Sequence, residues 1–151
     1  MEKQRELVLY SERLTPSISV VFALVLLSLG AGLIALPFAL DLSLLIGSGA
    51  FLVMLVLSFS LAPRIKLTRS TFTVGRATIE RSFLSKASSV DSDHAFRERG
   101  ANLDSRAFTL FRPGIKTLVR VQINDDKDPT PYWLFSTRNP EVLCQFLNQA
   151  N

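Results

Sequence analysis

The stretch PSISVVFALVLLSLGAGLIALPFALDLSLLIGSGAFLVMLVLSFSLA, residues 16–62, decides how this chain is read: Asp41 is its one charged residue. The first apolar run, Pro16 to Phe38, is charge-free. It exceeds the roughly 20 residues a helix needs to cross a hydrocarbon core of about 30 Å. The second run, Leu42 to Ala62, is equally charge-free, and Pro63 ends it. Thr15 is placed to cap the first helix, with Pro16 at its first position. The spacing predicts two transmembrane helices, 16–38 and 42–62, joined by an extracytoplasmic turn at 39–41 into an antiparallel hairpin. Neither run has a polar face, so neither suits the core of a water-soluble domain. A cleaved signal peptide fits less well, because its apolar core is about 7–15 residues and its leader is positive. Here the leader charges cancel and a second span follows at once.

Lys and Arg near span ends set orientation. Lys3, Arg5 and Arg13 precede the first run, Arg64, Lys66, Arg69 and Arg76 follow the second, and the connection holds only Asp41. Both termini are therefore expected in the cytoplasm, in a multi-pass protein of the cell membrane. Small residues recur in both runs, among them Ser28 and Gly32, and Ser43 and Gly47, each pair four apart. Such spacing lets helices approach closely in lipid. Packing within the hairpin is preferred, with a homodimer interface as the alternative. The absence of ionisable groups inside the spans argues against a channel or transporter.

The net charge is +4, from 17 basic and 13 acidic residues. Beyond Ala62 the counts are 14 and 9, with the signs interleaved, which does not make a nucleic-acid face. One cysteine, Cys144, and one histidine, His94, allow neither an internal disulfide nor a Cys/His zinc site. No metal or cofactor is expected. Cys144 reads as a small buried residue and His94 as a surface one.

After Pro63 the periodicity shortens to that of strands. Ile65 to Arg69 alternates, and Thr71–Val74 and Ala77–Ile79 flank a Gly75-Arg76 turn. Ser92 is placed to cap a short helix over residues 93–99, stopped by Gly100. Phe108–Phe111, Leu118–Ile123 and Pro131–Ser136 read as further strands, the last two as a hairpin. Asn139 and Pro140 open a C-terminal helix, 140–150, whose stripe of Val142, Leu143, Phe146 and Leu147 should dock on the sheet. Leu7–Tyr10, in the N-terminal segment 1–15, can add an edge strand to that sheet. The fold class is thus membrane α+β: a transmembrane hairpin, then a small antiparallel β-rich domain, 63–151, with a C-terminal helix.

Certain segments carry a family likeness. They are Tyr10-Ser11-Glu12-Arg13-Leu14, Leu103–Phe108, Arg112-Pro113, Val119–Val121, Asp128-Pro129-Thr130-Pro131-Tyr132-Trp133-Leu134, Ser136–Arg138 and Pro140-Glu141. On these the chain resembles a family of small actinobacterial membrane proteins known as a domain of unknown function. The Asp-Pro-Thr-Pro-Tyr-Trp segment is its most specific part. Ser105 departs from an expected proline, and the spans are less rich in Trp and Ala. The resemblance implies location and architecture, and no activity. The order of elements is also similar to membrane-anchored pleckstrin-homology-like domains, by topology alone.

Three candidate sites follow. Arg106, Arg112, Arg120 and Arg138 suit bidentate binding of an anion or a partner carboxylate, against the simpler reading of ion pairs with Glu98, Asp104 and Glu141. Tyr132 and Trp133, between prolines and apolar residues, suit a partner platform or, more simply, a core position with Tyr132 partly exposed. Arg64, Lys66, Arg69 and Arg76 suit contact with anionic headgroups. Asp125, Asp126 and Asp128 lack a full cation loop and read as a solvated turn. No nucleophile stands beside a base, so an enzyme is not expected. The favoured role is a non-catalytic interaction module at the inner membrane face, with the lipid bilayer and a protein partner. The alternatives are an accessory subunit of a larger membrane complex and an anionic-lipid headgroup binder.

Overall fold

The computed structural model describes residues 7–125 and 127–149. The chain divides into two compact units, Thr15–Ala62 and a second that joins residues up to Leu14 with those from Pro63 onward.

The first unit is a helical hairpin of α1 (Ile18–Ala35) and α2 (Leu40–Ser60). Both are long and apolar enough to cross a membrane, rising about 27 and 31 Å. α1 starts two residues beyond Pro16, because Ser17 holds the extended N-cap backbone and its carbonyl accepts from Val20 and Val21. Asp41 lies not in the turn but in the first turn of α2, where a carboxylate meets the positive end of the helix dipole. Small residues make the hairpin contact. Ser43 Oγ donates to the Gly32 carbonyl at 2.8 Å. A Cβ on Gly32 would stand 3.0 Å from the Ser43 carbonyl oxygen, and one on Gly47 3.3 Å from that of Ser28. Ser28, Gly32, Ala35 and Ser43 are the buried residues of these helices. The large apolar side chains are mostly exposed, Leu33, Ile34 and Leu45 among them.

In the second unit β1 (Tyr10–Arg13), β2 (Arg64–Leu67), β3 (Thr71–Val74) and β4 (Ala77–Glu80) form sheet A, antiparallel and in that order. The N-terminal edge strand forms three residues later than Leu7–Tyr10, with Leu7 and Val8 exposed. Its register is held by Leu14, which is fully buried, and by Tyr10 packing on the core. Ile65, Leu67, Phe72 and Val74 turn inward while Arg64 and Lys66 turn outward, the period of two that the sequence carries. Gly75 turns the β3–β4 hairpin with φ 64°, and Arg76 keeps a negative φ, the pattern of a type II′ turn.

A single 3-10 turn (Arg81–Phe83) leads to β5 (Leu84–Val90), then α3 (Ser92–Arg99), β6 (Phe108–Leu110), β7 (Leu118–Ile123), β8 (Tyr132–Ser136) and α4 (Pro140–Asn148). Asp91, not Ser92, holds the N-cap position of α3. Sheet B has the order β5-β7-β8-β6. It is not wholly antiparallel, since β6 runs parallel to β8. The β7–β8 hairpin claims the two central places. The short connection from β6 reverses the chain into β7, so β6 can only flank β8 in the same direction.

β8 is buried from Tyr132 through Ser136, because both faces of sheet B are covered. On one face Trp133 and Phe135 meet Phe72 of sheet A, ring centroids 6.0 and 5.8 Å away, and share a core with Leu143 and Leu147 of α4. On the other, Tyr132 and Leu134 join Leu118 and Ala95 of α3 in a second cluster. The apolar stripe of α4 is rotated from the expected one: Leu143, Cys144 and Leu147 are buried, while Val142 is exposed.

Candidate functional site

Sequence reasoning grouped four arginines; the fold sets Arg106 and Arg120 apart and brings Arg112 and Arg138 to the end of β1. Arg106 pairs with Asp104 at 3.0 Å at the surface. Its hydrogen bond holds the Asp104 carboxyl below the usual carboxylate range and raises the arginine in turn. Arg120 donates to Glu98 at 3.2 Å, and its guanidinium carbon lies 3.8 Å from the Tyr132 ring centroid. Arg112 Nε donates to the Leu14 carbonyl at 3.2 Å. The Arg138 guanidinium reaches the Arg13 carbonyl at 3.5 Å, and its backbone N–H donates to Glu12 at 2.9 Å. Arg106 and Arg120 thus brace separate parts of the fold, whereas Arg112 and Arg138 meet the neighbouring carbonyls of Leu14 and Arg13.

The aromatic pair is likewise structural. Tyr132 is only 3% exposed rather than partly exposed. Its hydroxyl accepts from the Asp104 N–H at 2.8 Å and tethers the loop that follows α3. Trp133 packs on Phe108, centroids 4.9 Å apart, and on Phe72. Both positions belong to cores and not to a platform.

Asp125 and Asp128 each accept a backbone N–H two residues on, from Lys127 and Thr130, both at 2.9 Å. Such local closures are turn chemistry. Asp126 lies outside the described residues. Among the described residues no three potential ligands stand together. Burial pushes the Cys144 thiol up to about 11, far from thiolate at neutral pH. His94 is exposed on α3.

The basic flank behaves differently. Arg64, Lys66, Arg69 and Arg76 are all exposed. Among the described residues no carboxylate lies in ion-pair range of any of them. The β2–β3 hairpin divides the set. Arg69 sits in the turn at one end of the strands, whereas Arg76 returns beside Arg64, whose carbonyl accepts from Gly75 N–H at 2.8 Å. Sequence reasoning missed a further member: Arg13 of β1 stands directly across from Arg64. Only the alternation of Tyr10–Arg13 against Arg64–Leu67 hinted at it.

Other working residues were also missed. The Arg81 guanidinium donates to the Phe146 carbonyl at 2.6 Å, and burial lowers its pKa. Asn148 bonds the backbone of Ala87 in both directions at 3.0 Å.

Residues 9–147 match the profile of DUF3093, described as a protein of unknown function. The chain belongs to that family. The DUF3093 match runs through both units, hairpin and sheets alike. No curated protein and no solved structure matches the chain. Segments that carried the family likeness hold structural joints: Tyr10–Leu14 and Ser136–Arg138 meet through Glu12, and Tyr132-Trp133 divides between two cores.

Proposed function

We propose that this DUF3093 chain is a membrane-anchored, non-catalytic interaction module at the inner face of the cell membrane. The observation that carries the reading is the surface of the hairpin. Two adjacent helices of membrane-crossing length leave their large apolar side chains exposed within the fold. So much contiguous apolar surface needs lipid or protein around it. A buried core helix, which passes the same length test, would be covered instead.

Orientation follows from the flanks. Arg13 precedes α1, and Arg64 and Lys66 follow α2, while the connection between the helices holds no cation. Cations stay on the cytoplasmic side. Both termini and the strand-rich unit therefore lie inside. The buried Cys144 thiol, raised to about 11, is not a thiolate nucleophile at neutral pH. Two packed sheets closed by α4 support a pleckstrin-homology-like outline. The partners on this reading are the bilayer and a protein recruited to its inner surface.

Alkaline extraction and protease protection test it. The chain should stay with membranes at high pH. Its C-terminal half should be cleaved in inverted vesicles and spared in intact cells from which the wall has been removed. A chain that disperses in buffer without detergent, or is digested from outside, overturns the proposal.

A further inference from the structure

We infer that the outer face of sheet A is a docking surface for anionic phospholipid headgroups, with Arg64, Lys66 and Arg76 as its cationic edge. The inference rests on the membrane-anchored reading above and deepens it.

Charge is the first argument. Arg13 and Arg64 are direct cross-strand partners, and Lys66 is the next outward residue of β2. Arg64, Lys66 and Arg76 are exposed, and their charges attract a phosphate. Arg76 joins the same end through the β3–β4 turn. The carboxylate on this face, Glu80, lies at the far end of β4, opposite Thr71. Three exposed cations thus stand at one end of the face, while Glu80 and the turn residue Arg69 stand at the other.

Chemistry is the second argument. The row beside the cations is Ser11, Lys66, Thr73 and Thr78, all in register. Thr73 and Thr78 hydroxyls already meet at 3.0 Å. Hydroxyls and cations with no large apolar side chain among them suit a phosphate layer and not a hydrophobic partner.

Reach is the third. Arg13 lies five residues before Ile18, the start of α1, and Arg64 lies four after Ser60, the end of α2. Even fully extended, such links span at most about 14–18 Å. The cationic end of the sheet cannot stray far from the headgroups when the helices are in a bilayer, whose polar layer is about 5–8 Å deep on each side. Arg69, at the other end of β2, is not part of the surface.

The test uses the full chain in nanodiscs of phosphatidylcholine alone or mixed with phosphatidylglycerol. A water-soluble amine-acylating reagent reads Lys66 by mass spectrometry, with exposed Lys86 and Lys116 as internal references. Lys66 should react about fivefold more slowly in the anionic discs, the effect of roughly one cation held at a charged leaflet. High salt should abolish the difference. Arg64→Gln with Arg76→Gln should remove the protection while Arg69→Gln keeps it, and slow alkylation of the buried Cys144, as in the parent, shows that each variant is folded. Equal Lys66 rates in both discs, as a surface for an acidic protein would give, or protection that survives the double substitution, overturn this inference alone. A chain that fails to enter either disc overturns the anchored reading, and this inference with it.

Discussion

The Glu12 carboxylate accepts a hydrogen bond from Thr137 Oγ1 at 2.5 Å, across 125 residues of chain. The same carboxylate takes the Tyr10 hydroxyl at 2.7 Å and the Arg138 N–H at 2.9 Å. Thr137 is fully buried behind Glu12. This joint fastens β1, the strand ahead of α1, to the end of β8. Glu12→Ala should lower stability by about 1–2 kcal/mol, the loss of partly buried hydrogen bonds. Glu12→Gln should recover part of that. Thermal unfolding of the detergent-solubilised chain measures both, and an unchanged midpoint for Glu12→Ala would show the joint to be idle.

Gly32 tests the hairpin. A Cβ there meets the Ser43 carbonyl oxygen, a backbone atom that cannot swing away. Gly32→Val should spread α1 and α2 and cost about 1–3 kcal/mol, as overpacking does. Gly30→Ala is the control, because its added carbon meets nothing within 4 Å. Resistance to proteolysis in mild detergent should fall for the first and hold for the second.

Asn148 closes part of an open edge. Its side-chain amide donates to the Ala87 carbonyl and accepts from the Ala87 N–H, standing in for a neighbouring strand on β5. Asn148→Ala should cost about 1–2 kcal/mol, two modest hydrogen bonds. Faster amide exchange at Ala87 would report the opened edge, and exchange as slow as in the parent would refute the role.

Cys144 and Tyr10 set a limit at high pH. Burial raises the Cys144 thiol from 9.0 to about 11. Burial, then the hydrogen bond to Glu12, raises the Tyr10 phenol above 10.0. In both cases the folded state favours the protonated form. Stability linked to the thiol is full below pH 9 and lost as pH climbs through 11, and that linked to the phenol drains above pH 10. At pH 8 the folded thiol should be alkylated about a hundredfold more slowly than the unfolded one, from its thiolate fraction alone. Alkylation at equal rates with and without denaturant would contradict this.

Much was legible in the chain itself. The charge-free runs, their small residues and their cationic flanks state a helical hairpin of membrane-crossing length, because hydropathy and helix rise are local properties. The Gly75 turn and the alternation in Ile65–Leu67 and Leu118–Ile123 were equally local, since side-chain direction in a strand depends only on position. The arginines were not. Arg112, Arg120 and Arg138 look alike in sequence, yet one holds a carbonyl of Leu14, one covers Tyr132 and one braces the strand ahead of α1. Partners so far apart in the chain are set only when the sheets close.

By itself the sequence determined where apolar surface must go: two long runs with no polar face, and strands whose alternate residues turn inward. Only the tertiary structure decided which neighbours meet. It brought Arg13 across from Arg64, sent Arg69 to the opposite end of the same strand, ran β6 parallel to β8 and buried both faces of Tyr132–Ser136. The physical reason is range: hydropathy and backbone preference act over a few residues, whereas register and sheet order arise from contacts that form only when distant segments pack on one core.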